Sequence, residues 1–230
     1  MFYYDITYFL VLLGVILTML ASSHVQSTYA KYARVMSASG LTGAEVARRI
    51  LQLSGVNDVT IEHVAGSLTD HYDPSKKVVK LSDATYGSSS VAAVGVAAHE
   101  CGHVLQHHTG YFPLQLRTAL VPVASIGSNI GLPLIIFSVM LGLSDTLTRV
   151  GIFLFAFGVL FQIVTLPVEL DASHRALAML SDYGMLADGE VKQSRKVLNA
   201  AAMTYVASAA AAVLQLLRLV LLFGGRRNRR

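Results

Sequence analysis

Two histidines and a glutamate within Val96-Ala97-Ala98-His99-Glu100-Cys101-Gly102-His103-Val104-Leu105-Gln106 are the residues of this chain best spaced to do chemistry. At i and i+4, His99 and His103 rise from one helix face about a turn apart and can share one tetrahedral cation. Glu100 lies roughly 100° round from His99, where a carboxylate touches a metal-bound water without binding the metal. The stretch therefore predicts a zinc-protease helix. Zinc would polarise a scissile carbonyl and a water, while Glu100 takes the water's proton and passes it to the leaving amine. The plain alternative is a buried helix that carries two imidazoles and a carboxylate by chance. The flanking residues are small and apolar, so three polar groups there would be costly to bury without a partner. A metal supplies one.

A catalytic zinc takes a third protein ligand. The metzincin extension requires His where this chain has Thr109, which excludes that branch. His107 is i+8 from His99, about 12 Å further along the axis, too far for one ion to bridge. Glu169 is the stronger candidate, in Leu166-Pro167-Val168-Glu169-Leu170-Asp171-Ala172-Ser173-His174-Arg175-Ala176. It ends an apolar run, and an ionisable residue at a membrane boundary is expensive without a partner. An interfacial carboxylate is its simpler reading. Asp171 and His174 follow closely, either to orient a zinc ligand or to contact substrate, against solvated side chains as the alternative. His63, His71 and Asp73 can approach from upstream, although Thr69-Asp70-His71-Tyr72-Asp73-Pro74 also reads as a turn that stabilises itself. Cys101, about 200° round from His99, faces away from the metal and reads as a small core residue.

The elements that must position these residues belong to a membrane protein. The 230 residues are 53% hydrophobic and 14% charged, too apolar for an ordinary soluble domain. A single cysteine rules out an intrachain disulfide framework. The net charge of +4 owes much to Arg226-Arg227-Asn228-Arg229-Arg230, which suits anionic headgroups and gives no reason to expect nucleic acid. Residues 1–23 are expected to form a first transmembrane helix around the apolar run 6–21, with Phe2, Tyr3 and Tyr4 at the headgroup boundary. No Lys or Arg precedes Lys31, unlike a cleaved signal peptide.

Residues 24–118 form the expected catalytic portion. Thr42 and Glu45 predict a capped amphipathic helix stopped by Gly55. Residues 59–64 and 77–82 alternate as strands, and Ser88 to Ser90 can cap a motif helix that runs to about His108. Residues 119–169 should form a transmembrane hairpin of two runs, 119–143 and 150–168, kinked at Pro133 and ending near Pro167. A helical segment, 170–204, completes the site. Residues 205–230 form the fourth span and basic tail, with Arg218 snorkelling to the interface.

HECGH, the upstream Leu68-Thr69-Asp70-His71-Tyr72-Asp73-Pro74 and the downstream Pro167-Val168-Glu169-Leu170-Asp171-Ala172-Ser173 together resemble the bacterial neutral membrane zinc metallopeptidases, often called YugP-like. The similarity covers nearly the whole chain. It implies that His99, His103 and Glu169 bind zinc and that Glu100 is the catalytic base. The family is similar in turn to the HtpX-type membrane proteases, whose third-ligand motif has Asp four residues after its Glu. This chain has Ser173 there and its acid at Asp171.

The expected fold is mainly α: a four-helix integral membrane protein with a small α+β zincin-like catalytic portion built around the HExxH helix. Its expected activity is that of a zinc metalloendopeptidase on peptides or on unfolded or membrane proteins near the bilayer. The strand at 78–82 is expected to be an edge strand that pairs with extended substrate. A catalytically inactive zinc-containing scaffold or regulator is the alternative, against which Glu100 speaks, since a structural site has no use for a base. A transporter coupled through Glu169 is a weaker one. The protein is expected in the cell membrane, with its catalytic portion cytoplasmic. That orientation puts Lys31, Arg34, Arg117, Arg175, Lys192, Arg195 and Lys196 inside, against Arg149 and the four tail arginines outside.

Overall fold

Apolar runs of this length have no backbone partner in lipid except their own helix, and the computed structural model is accordingly mainly helical. It describes residues 6–224, without the side chain of Ser128. Phe2, Tyr3, Tyr4 and the terminal arginines, given interfacial roles above, lie outside the described residues. The order is α1 (Tyr8–Tyr32), α2 (Gly43–Leu53), β1 (Thr60–Val64), β2 (His71–Asp73), β3 (Val78–Ser82), α3 (Asp83–Tyr86), α4 (Val91–His108), α5 (Phe112–Ile126), a π-helical turn (Gly127–Gly131), α6 (Leu132–Met140), α7 (Asp145–Asp182) and α8 (Asp188–Phe223). Among the described residues four helical stretches are long and apolar enough to cross a membrane: α1, α5 through α6, α7 and α8.

The chain divides into two compact units. Of the described residues, one comprises 6–22, 115–166 and 204–224. Within it small residues let helices approach closely, as lipid-embedded packing requires. A Cβ on Gly127 would collide with the Leu154 carbonyl oxygen, and one on Gly131 would lie 2.8 Å from the Phe155 nitrogen. Ser138 and Thr148 join α6 to α7 through their hydroxyls at 2.8 Å. The departure from α geometry comes at the π turn just ahead of Pro133, because a ring without an N–H cannot continue the regular ladder. Arg218, expected to reach the interface, has its guanidinium 4.2 Å from the Tyr8 ring centroid.

The other unit comprises Ser23–Leu114 and Pro167–Met203. Its core draws Val46 and Ile50 from α2, Val79 and Leu81 from β3, Val94 and Cys101 from α4, Leu180 from α7 and Leu198 from α8. Thr42 and Glu45 close a capping box on α2, with Thr42 N–H donating to Glu45 Oε2 at 2.8 Å. Gly55, at φ +72°, follows its last turn, a conformation that glycine adopts without steric cost.

Strand order is β1-β3-β2, with β1 parallel and β2 antiparallel to β3. Val78–Ser82 is thus the central strand and not the expected edge, since both its hydrogen-bonding sides are filled. The stretch expected as a turn contains β2, although Asp73 does make the turn after it, accepting from the Ser75 and Lys76 amides at 3.0 and 3.1 Å. Pro167 does not end its helix. Helix α7 runs on to Asp182, a tolerance seen where neighbouring groups absorb the single lost backbone bond.

Candidate metal centre

Ser90 starts the helix that carries both histidines. Its hydroxyl accepts from the Ala93 amide at 3.2 Å, and Gly110, at φ +64°, lies just beyond the other end. Against this helix packs α7 with Glu169, and Gly102 permits the approach: a Cβ there would collide with the Ala172 carbonyl oxygen. The result brings one donor atom each from His99, His103 and Glu169 within 4.8 Å of one another. Glu169 Oε2 lies 3.3 Å from His99 Nε2 and 3.6 Å from His103 Nε2. The carboxylate is buried and both imidazoles nearly so. Two neutral imidazole nitrogens and a carboxylate are a donor set for catalytic zinc, which keeps three protein ligands where structural zinc has four.

Each imidazole is also turned from behind. Gln106 Nε2 donates to the Val168 carbonyl at 2.7 Å and to Asp171 Oδ2 at 2.9 Å. With both amide hydrogens committed, Gln106 Oε1 must accept, and it lies 3.0 Å from His103 Nδ1. His103 therefore donates from Nδ1 and keeps its Nε2 lone pair for the cluster. Ser173 Oγ stands 3.1 Å from His99 Nδ1 and can fix that ring in the same tautomer. Asp171 is anchored in turn by Arg175 Nε at 2.6 Å, and the Arg175 guanidinium lies over the Tyr111 ring.

Glu100, next to His99, is buried. Burial pushes its carboxyl above the usual carboxylate range, against the opposing pull of His99 and His103. It is thereby a better proton acceptor than an exposed glutamate.

The structure brings together His99, His103, Glu169 and, one bond behind them, Ser173 and Gln106. Asp171 reaches the cluster only through Gln106. His174 is exposed and lines a separate groove of about 450 Å³ between α7 and α8. His71 is exposed on β2, its Nδ1 donating to the Thr69 carbonyl at 2.8 Å, and is not among the three converging donors. His63 pairs with Asp83 at 2.6 Å. Asp70 accepts from the Ser82 amide and hydroxyl at 2.8 and 2.9 Å, tying down the end of β3. Cys101 is a core residue, its Sγ 3.7 Å from the Ala47 carbonyl oxygen. Gln106 and Ser173 carry no charge to single them out. Gln106 has only its helical spacing, i+3 from His103, as a signal, while Ser173, i+4 from Glu169, also stands where the HtpX-type motif has Asp.

Apolar spans and a buried two-histidine, one-carboxylate cluster define a membrane protein with a candidate metal centre of metallopeptidase type. The chain belongs to the family described as "Putative neutral zinc metallopeptidase", which it matches over residues 7–224. It is 45% identical over 215 residues to the "Putative membrane protease YugP" of Bacillus subtilis (strain 168), an alignment that covers 94% of this chain and 95% of that protein. No solved structure matches the chain.

Proposed function

We propose that this protein is a membrane-embedded zinc endopeptidase with a zincin-like site, in which His99, His103 and Glu169 hold the ion and Glu100 is the general base. When bound, zinc supplies Lewis-acid polarisation of a carbonyl and a lowered pKa for water. The observation that carries the reading is the convergence of three donors within 4.8 Å, with Gln106 and Ser173 placed to aim the two imidazoles. Glu100 takes a proton from the attacking water as its oxygen joins the carbonyl carbon. It then delivers that proton to the amine nitrogen as the C–N bond breaks. Burial of Glu100 favours the first transfer, because it disfavours the charged carboxylate from which that step starts.

Substrates are peptides or unfolded or membrane proteins at the bilayer, and the catalytic portion faces the cytoplasm. With β3 filled on both sides, an extended substrate backbone has β1 and β2 as the free edges of the sheet, and β2 packs on α4. Metal analysis of the purified protein, paired with casein cleavage, tests the reading. Wild type and Glu100→Gln should both hold stoichiometric zinc, while the variant loses at least roughly 10²-fold in activity. A zinc-free variant, or one that cleaves at the wild-type rate, would remove Glu100 from this role.

A further inference from the structure

Away from the metal centre, α1 and α8 enclose a groove of about 380 Å³. Along α1 its lining takes His24, Thr28 and Lys31, and along α8 Lys196, Asn199 and Met203. These positions recur at three- and four-residue intervals, so each helix presents one face to the groove. Its floor is firm. Tyr32 is buried with Ala92 and Val197 in a small cluster of its own, and Ala200 is buried beside it.

Two ammonium groups thus border one groove whose lining contains no carboxylate. Among the described residues neither lysine makes an ion pair; Lys31 has only the Tyr32 ring, 5.5 Å from its Nζ. Lys31 in the last turn of α1 also offsets the partial negative charge of that helix end. That role does not account for Lys196, which comes from another helix, nor for the neutral donors between the two cations. A hydroxyl, an amide and an imidazole beside two ammoniums suit a tetrahedral oxyanion with several acceptor oxygens.

The place of the groove along the helices narrows the source of that anion. His24 follows the apolar run 6–21 by three residues, and Met203 precedes the run 205–223 by two. Lys31 and Lys196 stand further off, about 14 Å along either helix at 1.5 Å per residue. Headgroups add roughly 5 to 8 Å on each side of the hydrocarbon, and a lysine stem reaches back toward them. We propose that this groove binds a phosphate-bearing anion, and that the anion is the headgroup of an acidic phospholipid.

Native mass spectrometry of the full-length protein, equilibrated in detergent with equal phosphatidylglycerol and phosphatidylcholine, tests this. Wild type should retain phosphatidylglycerol preferentially. In K31Q/K196Q the preference should fall by on the order of fivefold for each lysine removed, while K76Q/K80Q, in the turn before β3 and on β3 itself, should keep it. Both lysines of the groove are exposed, so the double variant should unfold at the wild-type temperature in phosphatidylcholine, read from the thiol exposure of Cys101. Retention of both lipids equally by wild type, or an unchanged preference in K31Q/K196Q, would overturn the site. If inorganic phosphate at millimolar concentration displaces the lipid from wild type, the anion site stands but its occupant is free phosphate and the lipid assignment falls.

Discussion

At the scale of single residues, Glu169 and Asp171 make a discriminating pair, two carboxylates two positions apart on one helix. Glu169 lies 3.3 and 3.6 Å from the two imidazole nitrogens, while Asp171 touches Gln106 and Arg175 instead. Glu169→Ala should lose zinc and activity together and lower the melting temperature, since a metal held only by the native state adds to folding stability. Asp171→Ala should keep the ion with affinity or activity reduced on the order of 10- to 100-fold. Chelator-competition titrations of both variants check this, and full zinc occupancy in Glu169→Ala would move the third ligand elsewhere. Gln106→Leu belongs with Asp171→Ala. It removes the acceptor that holds the His103 tautomer and leaves the Val168 carbonyl and Asp171 without its amide, so it should weaken zinc by a similar factor. These supporting residues were hidden in the sequence for a physical reason. Glu169 stands out because a carboxylate beside an apolar run demands a partner, whereas a serine or glutamine on a helix demands none, and only the packing of α4 on α7 shows which groups they touch.

At the scale of elements, the close approach of α4 and α7 sets the distance between the proposed ligands. Gly102, inside the histidine motif, would place a Cβ against the backbone oxygen of Ala172, which lies three residues beyond Glu169. Gly95, one to two turns before the motif, would meet only the side-chain hydroxyl of Ser194 on α8. A hydroxyl can rotate away and a helix backbone cannot. Gly102→Ala should therefore cost about 1–3 kcal/mol by overpacking and weaken zinc as well, because it pushes Glu169 away from the histidines. Gly95→Ala should cost less and leave zinc affinity unchanged. Thermal unfolding with and without chelator separates the two effects. The capped ends of α2 and α4 were legible because Thr42, Glu45, Ser90 and Gly55 act on their own neighbours. Strand order was not. Alternation marks 78–82 as a strand, but nothing in its five residues says that β1 and β2 flank it, and the short β2 was masked by the turn chemistry of Asp73. Likewise Pro167 signals a stop only if the carbonyl it abandons stays unsatisfied, a condition set by tertiary surroundings and not by the local sequence.

At the scale of the whole molecule, the four apolar helices fix a membrane protein but not which side its metal centre faces. Proposed cytoplasmic exposure of the catalytic portion rests on charge, with Lys31, Arg34, Arg117, Arg175, Lys192, Arg195 and Lys196 on one side and Arg149 with the terminal arginines on the other. The chain supplies its own quiet background for a test. Cys101, the one cysteine, is fully buried, and burial together with the neighbouring Glu100 charge pushes its thiol pKa up, so it is poorly accessible and little ionised in the folded protein. It should react with a thiol reagent only on denaturation. Single added cysteines then report position without removal of the native one. Ser144, exposed in the link between α6 and α7, lies across the second expected span from the catalytic portion, whereas Lys76 lies in the turn between β2 and β3. If the catalytic portion is cytoplasmic, Ser144→Cys should react with a membrane-impermeant maleimide in intact cells, and Lys76→Cys should react only after lysis. The opposite pattern would put the zinc site outside and make extracellular peptides its substrates. Labelling of both in intact cells would mean that the helices between them do not separate two compartments, and the count of spans itself would have to change.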